Sequence, residues 1–375
     1  MNRSFYFDNN ATTQPLPEVV EVVARIMRDC IGNPGSPHRA GRKARQILEE
    51  SREAIASLLG ASPKELIFTS GGTEANNLAL RGLTHGLSGT IAISPGEHPS
   101  CLEVCTAPAM RGWNLHKFPV DHCGQLSSID MPSDTRLAAV ILAHNETGVI
   151  QDVTPLADAC RARGVPLHLD GVQAVGKISV SFHDLGATTL SFGAHKFHGP
   201  RGAGGLLMRE GTRLTPLMRG GHQEFERRPG TEPVALIAGM AKALELWHAS
   251  QTERTQTVTS LRDRLQAALI ERCTPTVVNG EGAPRLPNTL NVSFPGVDGE
   301  AILVALDLEG VCCSLGSTCA SGSAEPAPIL IAMGLTPDLY RSAVRFSLSF
   351  LNTGDEIDAA AERIASVVAR LRNST

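Results

Sequence analysis

Residues able to do chemistry follow five successive short apolar runs, at the points where buried strands would end. They are a glycine pair with Thr73 after Glu65–Ser70, His98 after Thr90–Ser94, Asn145 after Leu137–His144, Asp170 at the end of Pro166–Asp170, and Lys196 after Thr188–Phe192. Ligands of open α/β sheets bind at the carboxyl ends of the strands. The sequence therefore predicts that these five features line a single site.

The chemistry of each feature suits a flat, anionic cofactor with an electrophilic carbon. Lys196, among apolar and aromatic neighbours, can lose its charge and act as an amine nucleophile. Asp170 can pair with a pyridinium nitrogen. Gly72 and Thr73 offer N–H groups, a hydroxyl and a positive helix end to a phosphate. His98 can stack on a ring or move protons near neutral pH. Together these are the parts of a pyridoxal-phosphate site.

Each feature also has a plainer interpretation when it is taken alone. Lys196 would be a solvated loop lysine and His98 a hydrogen-bonded loop histidine. Asp170 would be a helix N-cap, and the glycine pair an ordinary turn capped by Thr73. The succession of all of them at consecutive strand ends is hard to attribute to chance, and it favours the cofactor site.

Two further residues of interest lie in the last fifth of the chain. Cys319 lies among Ser, Gly, Thr and Ala residues, a composition typical of an exposed loop, where a thiol is accessible. Arg345 interrupts the strand-like run Ser342–Ser349 and can bind a carboxylate through two parallel hydrogen bonds. The alternatives are an ordinary loop thiol and a surface arginine on an edge strand. Cys312 and Cys313 follow an apolar run and are predicted to be buried strand residues.

The predicted strands that position these residues alternate with predicted helices along the chain. Continuous apolar runs separated by helical stretches predict a mostly parallel sheet covered by helices on both faces. After a long polar helix over Glu253–Arg272, shorter pieces and a last amphipathic helix predict a smaller α+β unit. We expect a large cofactor-binding domain over residues 15–253, a small C-terminal domain over 254–375, and residues 1–14 joining the two.

Composition limits the class of protein. The 375 residues are 42% hydrophobic, which is enough for a full core, and the formal net charge is −4. This charge is too small to indicate binding to nucleic acid or to a membrane surface. The nine cysteines are scattered without any C-x-x-C pair, which argues against a disulfide framework or a zinc site. We expect a cytoplasmic enzyme with reduced thiols and no resident metal.

The motifs, read in order, resemble those of a known family. They are YFDNNATT, GNPGSPH, TSGGTEANNLA, HNETGVIQD, HLDGVQAVGK, SFGAHKFHGPRG, RPGT, GSTCASGSAEP and VRFSLS. The chain resembles the class V aminotransferases, which have the type I pyridoxal-phosphate fold, and within them the cysteine desulfurases of NifS/IscS type. The resemblance runs almost from end to end of the chain.

The resemblance implies a role for each site residue. Lys196 is implied to bind pyridoxal 5'-phosphate as a Schiff base, His98 to stack on the ring and shuttle protons, and Cys319 to accept sulfur. The other implied contacts are Asp170 at the ring nitrogen, Asn145 and Gln173 near the phenolic oxygen, Gly72, Thr73, Gly193 and His195 at the phosphate, Thr231 at the phosphate from the other subunit of a homodimer, and Arg345 with Asn33 at the substrate carboxylate.

The activity implied by the resemblance is conversion of L-cysteine to L-alanine, with the sulfur held as a persulfide for an acceptor such as an iron–sulfur scaffold. A selenocysteine lyase or an aminotransferase would use the same cofactor, but an aminotransferase needs no Cys319. A non-catalytic sulfur-relay scaffold would not need Lys196, His98 and Asp170 together. Gly193 stands where the family often has a serine, so a phosphate-binding hydroxyl is missing. Leu315 and Gly322 also depart from the common loop sequence around the cysteine.

Overall fold

The computed structural model describes residues 4–107, 112–315 and 326–373. The helices of these residues are α1 (Pro17–Asp29), α2 (Arg39–Leu58), α3 (Gly72–Thr84), α4 (Pro99–Thr106), α5 (Thr154–Arg163), α6 (Val234–Ala249), α7 (Gln251–Arg272), α8 (Gly299–Leu308), α9 (Pro328–Ala332), α10 (Pro337–Arg341) and α11 (Gly354–Arg372). The strands are β1 (Phe5–Tyr6), β2 (Leu66–Thr69), β3 (Gly89–Ile93), β4 (Trp113–Lys117), β5 (Thr135–Ile141), β6 (Leu167–Asp170), β7 (Thr189–Gly193), β8 (Gly204–Met208), β9 (Val277–Val278), β10 (Thr289–Ser293), β11 (Val311–Cys312) and β12 (Ala343–Ser347).

A seven-stranded sheet dominates the structure. Its strand order is β2-β8-β7-β6-β5-β3-β4, and only β8 runs antiparallel to its neighbours. Strands β6, β7 and β8 are buried at every residue, which explains their continuous apolar sequences. The predicted mostly parallel sheet is confirmed.

Helices cover both faces of this sheet, because successive strand side chains point to opposite sides. In β5, Ala138 and Val140 join the core formed with α2 and α6, whereas Leu137 and Ala139 join the core formed with α3 and α4. Buried apolar residues of α2, such as Leu48, repeat at helical spacing and pack on the first face. Because β5, β6 and β7 are parallel, their carboxyl ends lie together at one edge of the sheet.

Two small sheets form a second packed region. Strands β12, β10 and β9 are antiparallel in that order, and β1 pairs with β11 in parallel. Their core combines Phe5 and Phe7 with α7 and α11. The smaller α+β part is thus present, and the N-terminal strand belongs to it. Helix α6 ends at Ala249 and α7 begins at Gln251; the domain boundary near residue 253 stays a prediction.

Residue Asn10 connects the two packed regions. Its Nδ2 donates to Thr289 Oγ1 at 2.9 Å, and its N–H donates to Ser347 Oγ at 2.9 Å, both in the small sheet. Its backbone oxygen accepts from Lys196 Nζ, which follows β7 of the large sheet. The N-terminal segment therefore touches both sheets at the predicted site.

One sequence expectation about burial is wrong. Cys312 lies in β11 and Cys313 directly follows it, but both side chains are only partly buried. The reason is that β11 is two residues long and pairs with an equally short β1. Within the described residues, no helix has the length and apolar character needed to cross a bilayer.

Candidate active site

The predicted strand ends meet around one open cavity of about 180 Å³. The residues singled out from the sequence that line it are Gly72, Thr73, His98, Asn145, Asp170, Gln173, His195 and Lys196. They come from the segments that follow β2, β3, β5, β6 and β7. The structure therefore brings the five strand ends together, as the sequence predicts.

Lys196 projects into this cavity because a 3₁₀ turn, Ala194–Lys196, follows β7 directly. Its Nζ donates to the backbone oxygens of Asn10 at 2.6 Å and Ala11 at 3.0 Å. Burial, together with the nearby charge of Arg345, lowers the pKa of Lys196 to about 8. A lysine with this pKa is partly neutral near neutral pH and can act as a nucleophile.

His98 occupies the position just before α4. Its Nδ1 accepts the Ser100 N–H at 3.1 Å and lies 2.7 Å from Ser100 Oγ. His98 lines the cavity and is exposed there, yet the surrounding protein removes enough water to lower the pKa of His98. The carboxylate of Asp170 opposes this shift, and the charge of Lys196 adds to it. His98 is thus held as a neutral imidazole near neutral pH.

Asp170 lies at the end of β6 and is 3% exposed. Its Oδ1 accepts the Val172 N–H at 3.0 Å, and its Oδ2 accepts from Asn76 Nδ2 at 2.8 Å. Both of these donors are neutral. A buried carboxylate gains most from a cationic partner, so this arrangement suits a protonated ring nitrogen.

The beginning of α3 has the geometry of an anion site. Its N-cap is Gly71, with φ at 155° and no side-chain cap, so the first N–H groups of the helix are available to a ligand. A Cβ added at Gly193 would lie 3.3 Å from the Gly72 nitrogen and 3.9 Å from His195 Nε2. Position 193 therefore faces the same space, and the lack of a side chain there leaves room for an oxygen atom of a ligand.

His195 adds a neutral ring to this space. Burial lowers the pKa of His195 to about 4, and the nearby charges of Lys196 and Arg201 contribute. Its Nδ1 lies 3.3 Å from Thr12 Oγ1. The small glycines, the helix end and a neutral imidazole together fit a phosphate group.

Gln173 is held by residues outside the cavity lining. Lys177 Nζ donates to Gln173 Oε1 and, at 2.7 Å, to Asn10 Oδ1. Gln173 Nε2 donates to the Asn10 backbone oxygen at 2.9 Å. Burial lowers the pKa of Lys177 well below its usual value, and Lys196 adds repulsion. The lysine fixes the orientation of the Gln173 amide.

Arg345 is buried beside the cavity, in β12. Its Nη2 donates to Asp8 Oδ1 at 2.7 Å, and its Nη1 donates to Glu146 Oε1 at 3.0 Å and to the Asn145 oxygen at 3.2 Å. Burial raises the pKa of Glu146, and the charge of Arg345 opposes that shift. The guanidinium thus links the small sheet to a residue that lines the cavity.

Three predicted residues are not joined to this cluster by the described contacts. Asn33 is exposed before α2, and its Oδ1 accepts the Gly35 N–H at 2.8 Å. Thr231 is exposed on the loop before α6. Cys319 lies outside the described residues. The described part of the chain also contains no group of three or more His, Cys, Asp or Glu side chains placed to hold a metal ion.

Several residues of the site were missed from the sequence. Behind Asp170 and His98 lies a hydrogen-bonded group formed by Asn76, Ser100 and His168. Lys177 holds Gln173, and Glu146 holds Arg345. All but Ser100 belong to motifs that were recognised as blocks, TSGGTEANNLA, HLDGVQAVGK and HNETGVIQD. Side-chain direction within those blocks was the missing information.

Comparison with known proteins agrees with this arrangement. The model of the family described as aminotransferase class-V matches residues 5–360. The chain is 39% identical to cysteine desulfurase IscS of Dictyoglomus turgidum, over 99% of this chain and 96% of that protein. It is 38% identical to cysteine desulfurase NifS of Azotobacter vinelandii, over 98% and 93% of the two chains.

A solved structure described as a NifS-like protein has the same fold. It superimposes with a TM-score of 0.91 at 33% identity, over 98% of this chain and all of the other. The family and these relatives imply a pyridoxal-phosphate cofactor. The chain belongs to the aminotransferase class-V family, among the cysteine desulfurases of NifS/IscS type.

Proposed function

We propose that this protein is a pyridoxal-phosphate-dependent desulfurase that converts L-cysteine to L-alanine and passes the sulfur to Cys319. The single observation that carries the proposal is the convergence of Lys196, Asp170 and His98 on one cavity. This cavity occurs in a chain whose relatives over nearly its whole length are named cysteine desulfurases.

The residues around the cavity fit pyridoxal phosphate. Lys196 would hold its aldehyde carbon through Nζ, and Asp170 would pair with its ring nitrogen. Gly72 and Thr73 would bind its phosphate at the N-terminus of α3, in the space that a Cβ at Gly193 would enter. When bound, the cofactor supplies an electron sink for the charge left at the substrate Cα.

The same side chains give the protein its own share of the chemistry. Lys196, with its pKa lowered to about 8, can take up the Cα proton of the substrate and return a proton. His98 accepts at Nδ1 from Ser100, so its ring proton resides on Nε2, where it can be transferred within the cavity. Neutral donors at both oxygens of Asp170 hold its carboxyl group in position beside the cavity.

Arg345 is the proposed anchor of the substrate carboxylate. Its guanidinium lies next to Asn145 and is held in position by Asp8 and Glu146. A carboxylate that binds there would share the guanidinium with these two acids. Asn33 would join it from the loop before α2.

The sulfur step needs a thiolate from Cys319. The Cβ–Sγ bond of cysteine breaks, an S–S bond forms between the substrate sulfur and the Cys319 sulfur, and Cβ takes up one proton and the electron pair. The products are L-alanine and a Cys319 persulfide, so no external oxidant or reductant is required. A sulfur-acceptor protein, such as an iron–sulfur scaffold, would then receive the outer sulfur atom.

We further propose that the enzyme is a homodimer in which Thr231 binds the phosphate of the partner's site. In one chain Thr231 is exposed and lies outside the cavity lining, which is compatible with a role across an interface. Anchoring of its loop by a buried ion pair, Arg52 with Glu224, supports a fixed rather than random position.

The direct test is incubation of the holoenzyme with L-cysteine, with alanine and sulfide measured in the presence and absence of a thiol reductant. We expect equimolar alanine and, with reductant, sulfide. Transfer of the amino group to a keto acid without alanine formation would contradict the proposal and indicate an aminotransferase. Turnover of selenocysteine but not of cysteine would indicate a lyase.

A further inference from the structure

A chain of five side chains runs behind the cavity from β7 to His98. Thr189 Oγ1 lies 2.9 Å from His168 Nδ1, and His168 Nε2 lies 3.0 Å from Asn76 Oδ1. Asn76 Nδ2 donates to Ser100 Oγ at 2.8 Å, and Ser100 Oγ lies 2.7 Å from His98 Nδ1. The same Nδ2 also donates to Asp170 Oδ2. Asn76 is 1% exposed, so water does not compete for these bonds.

The chemistry of the two ends fixes the direction of the hydrogen bonds. A carboxylate only accepts, so Asn76 must turn its NH₂ group toward Asp170 and its oxygen toward His168. His168 therefore donates from Nε2 and accepts from the Thr189 hydroxyl at Nδ1. At the other end the Ser100 N–H donates to His98 Nδ1 at 3.1 Å, so that nitrogen is an acceptor. The Ser100 hydroxyl, which already accepts from Asn76, donates to it as well.

We propose that Asn76 is a positioning residue that keeps His98 a neutral imidazole with its proton on Nε2, acting through the hydroxyl of Ser100. The value of this for catalysis rests on the proposed function, since His98 is the proton carrier there. The geometry itself does not depend on the reaction.

The physical reason is competition at His98 Nδ1. Protonation of this nitrogen would place its hydrogen against two donors, the Ser100 N–H and O–H. Asn76 occupies Ser100 Oγ from the other side, which directs the hydroxyl hydrogen toward His98. Without Asn76 the hydroxyl can turn and accept from a protonated Nδ1. Loss of Asn76 is therefore expected to make His98 easier to protonate.

Other charges also act on His98. Asp170 on β6 favours its protonation, while Lys196 after β7 opposes it. His144, which follows β5, is kept neutral, because burial lowers its pKa to about 4. None of these side chains touches Ser100 Oγ in the described contacts. A change in the pKa of His98 that is transmitted through Ser100 can therefore be separated from one caused by the nearby charges.

The variants are Asn76→Leu and Ser100→Ala, with Asn77→Leu as the matched control. Asn77 is the same residue type, one position along α3, and its Nδ2 donates only to the Thr73 oxygen of its own helix in the described contacts. Ser100→Ala removes one small hydroxyl and keeps the backbone donor, so it tests the proposal even if Asn76→Leu folds poorly. The double variant completes a thermodynamic cycle.

The experiment is a pH titration of the holoenzyme with ¹⁵N-labelled histidine, with the His98 signals assigned by His98→Gln. In the unmodified protein and in Asn77→Leu we expect a bare Nδ1, a protonated Nε2 and titration below the usual histidine pKa. Asn76→Leu and Ser100→Ala should each raise that midpoint by roughly 0.5–1 pH unit, the value of one hydrogen bond. The double variant should shift it no further than Ser100→Ala alone.

An unchanged midpoint in Asn76→Leu, or additive shifts in the double variant, would overturn the proposal, since Asn76 would then not act through Ser100. The acid limb of kcat/KM for L-cysteine should move to higher pH by the same amount in the active variants. If the enzyme does not consume L-cysteine at all, the proposed function fails, while the titration still decides the role of Asn76.

Discussion

Breaking the buried ion pair between Arg52 and Glu224 is expected to destabilise the fold strongly. Both side chains are almost fully buried, at 3% and 1% exposure. Glu224 accepts from Arg52 Nη1 at 3.0 Å, from Arg52 Nη2 at 2.7 Å and from the Phe68 N–H at 2.8 Å. The guanidinium also lies 4.5 Å from the centre of the Phe68 ring.

The perturbation is Arg52→Met, which keeps an apolar stem of similar length and removes the charge. It would leave the Glu224 carboxylate buried without its cation, and removal of one partner of a buried pair costs about 3–5 kcal/mol. For a chain of 375 residues that unfolds as one unit, this corresponds to a fall in Tm of about 4–6 °C. Glu224, Phe225 and Glu226 all have positive φ, so the loop that carries them is strained and needs this anchor.

The assay is thermal unfolding of the apoenzyme, followed by circular dichroism at fixed protein concentration. Arg161→Met is the matched control: it lies on α5 and pairs with Asp158, and both of these side chains are more than 60% exposed. Such surface pairs contribute less than about 1 kcal/mol, so the control should change Tm by about 1 °C or less. Equal shifts in the two variants would show that burial of the pair does not set its cost, and an Arg52→Met variant as stable as the unmodified protein would contradict the prediction.

Three further predictions concern the site. Lys196→Ala should abolish both turnover and the absorbance that arises from the Schiff base between lysine and cofactor, because the covalent anchor is lost; desulfuration of cysteine at a normal rate would show that another residue holds the cofactor. The rate at which the apoenzyme takes up pyridoxal phosphate should rise with pH, with a midpoint near pH 8. The reason is that burial and Arg345 lower the pKa of Lys196 to about 8, and only the neutral amine attacks the cofactor. A rate that still rises steeply at about pH 10, where an unperturbed lysine titrates, would contradict this prediction. Thr231→Ala should weaken cofactor binding and leave the dimer intact by analytical ultracentrifugation; an active monomer would contradict the shared site.

Much of the arrangement could be predicted because strand ends are visible in sequence. Apolar runs gave the positions at which β3, β5, β6 and β7 end, and parallel strands bring such ends to one edge. Asp170 was identifiable because it ends such a run, and Lys196 because it is the fourth residue after one. The antiparallel direction of β8 could not be deduced, because its sequence, Gly204–Met208, is as apolar as the sequences of the parallel strands.

Residues that act through side-chain direction were harder to predict. Asn76 and Asn77 are adjacent and identical in type, but only Asn76 points inward, to Asp170 and His168. The difference comes from the phase of α3 relative to the sheet, and local sequence does not determine it. The partial burial of Cys312 was missed for a similar reason, since it depends on the short partner strand β1 from the other end of the chain.

The most direct test of sulfur transfer to Cys319 follows the sulfur atom. The holoenzyme is mixed with one equivalent of L-cysteine that carries labelled sulfur, and the cysteine-containing peptides are then analysed by mass spectrometry without reductant. We expect one labelled sulfur atom on Cys319, removable by reductant, together with one equivalent of alanine. Cys319→Ser should still bind cysteine and form no alanine. Label that appears first on another of the nine cysteines, or normal alanine formation by Cys319→Ser, would contradict this expectation.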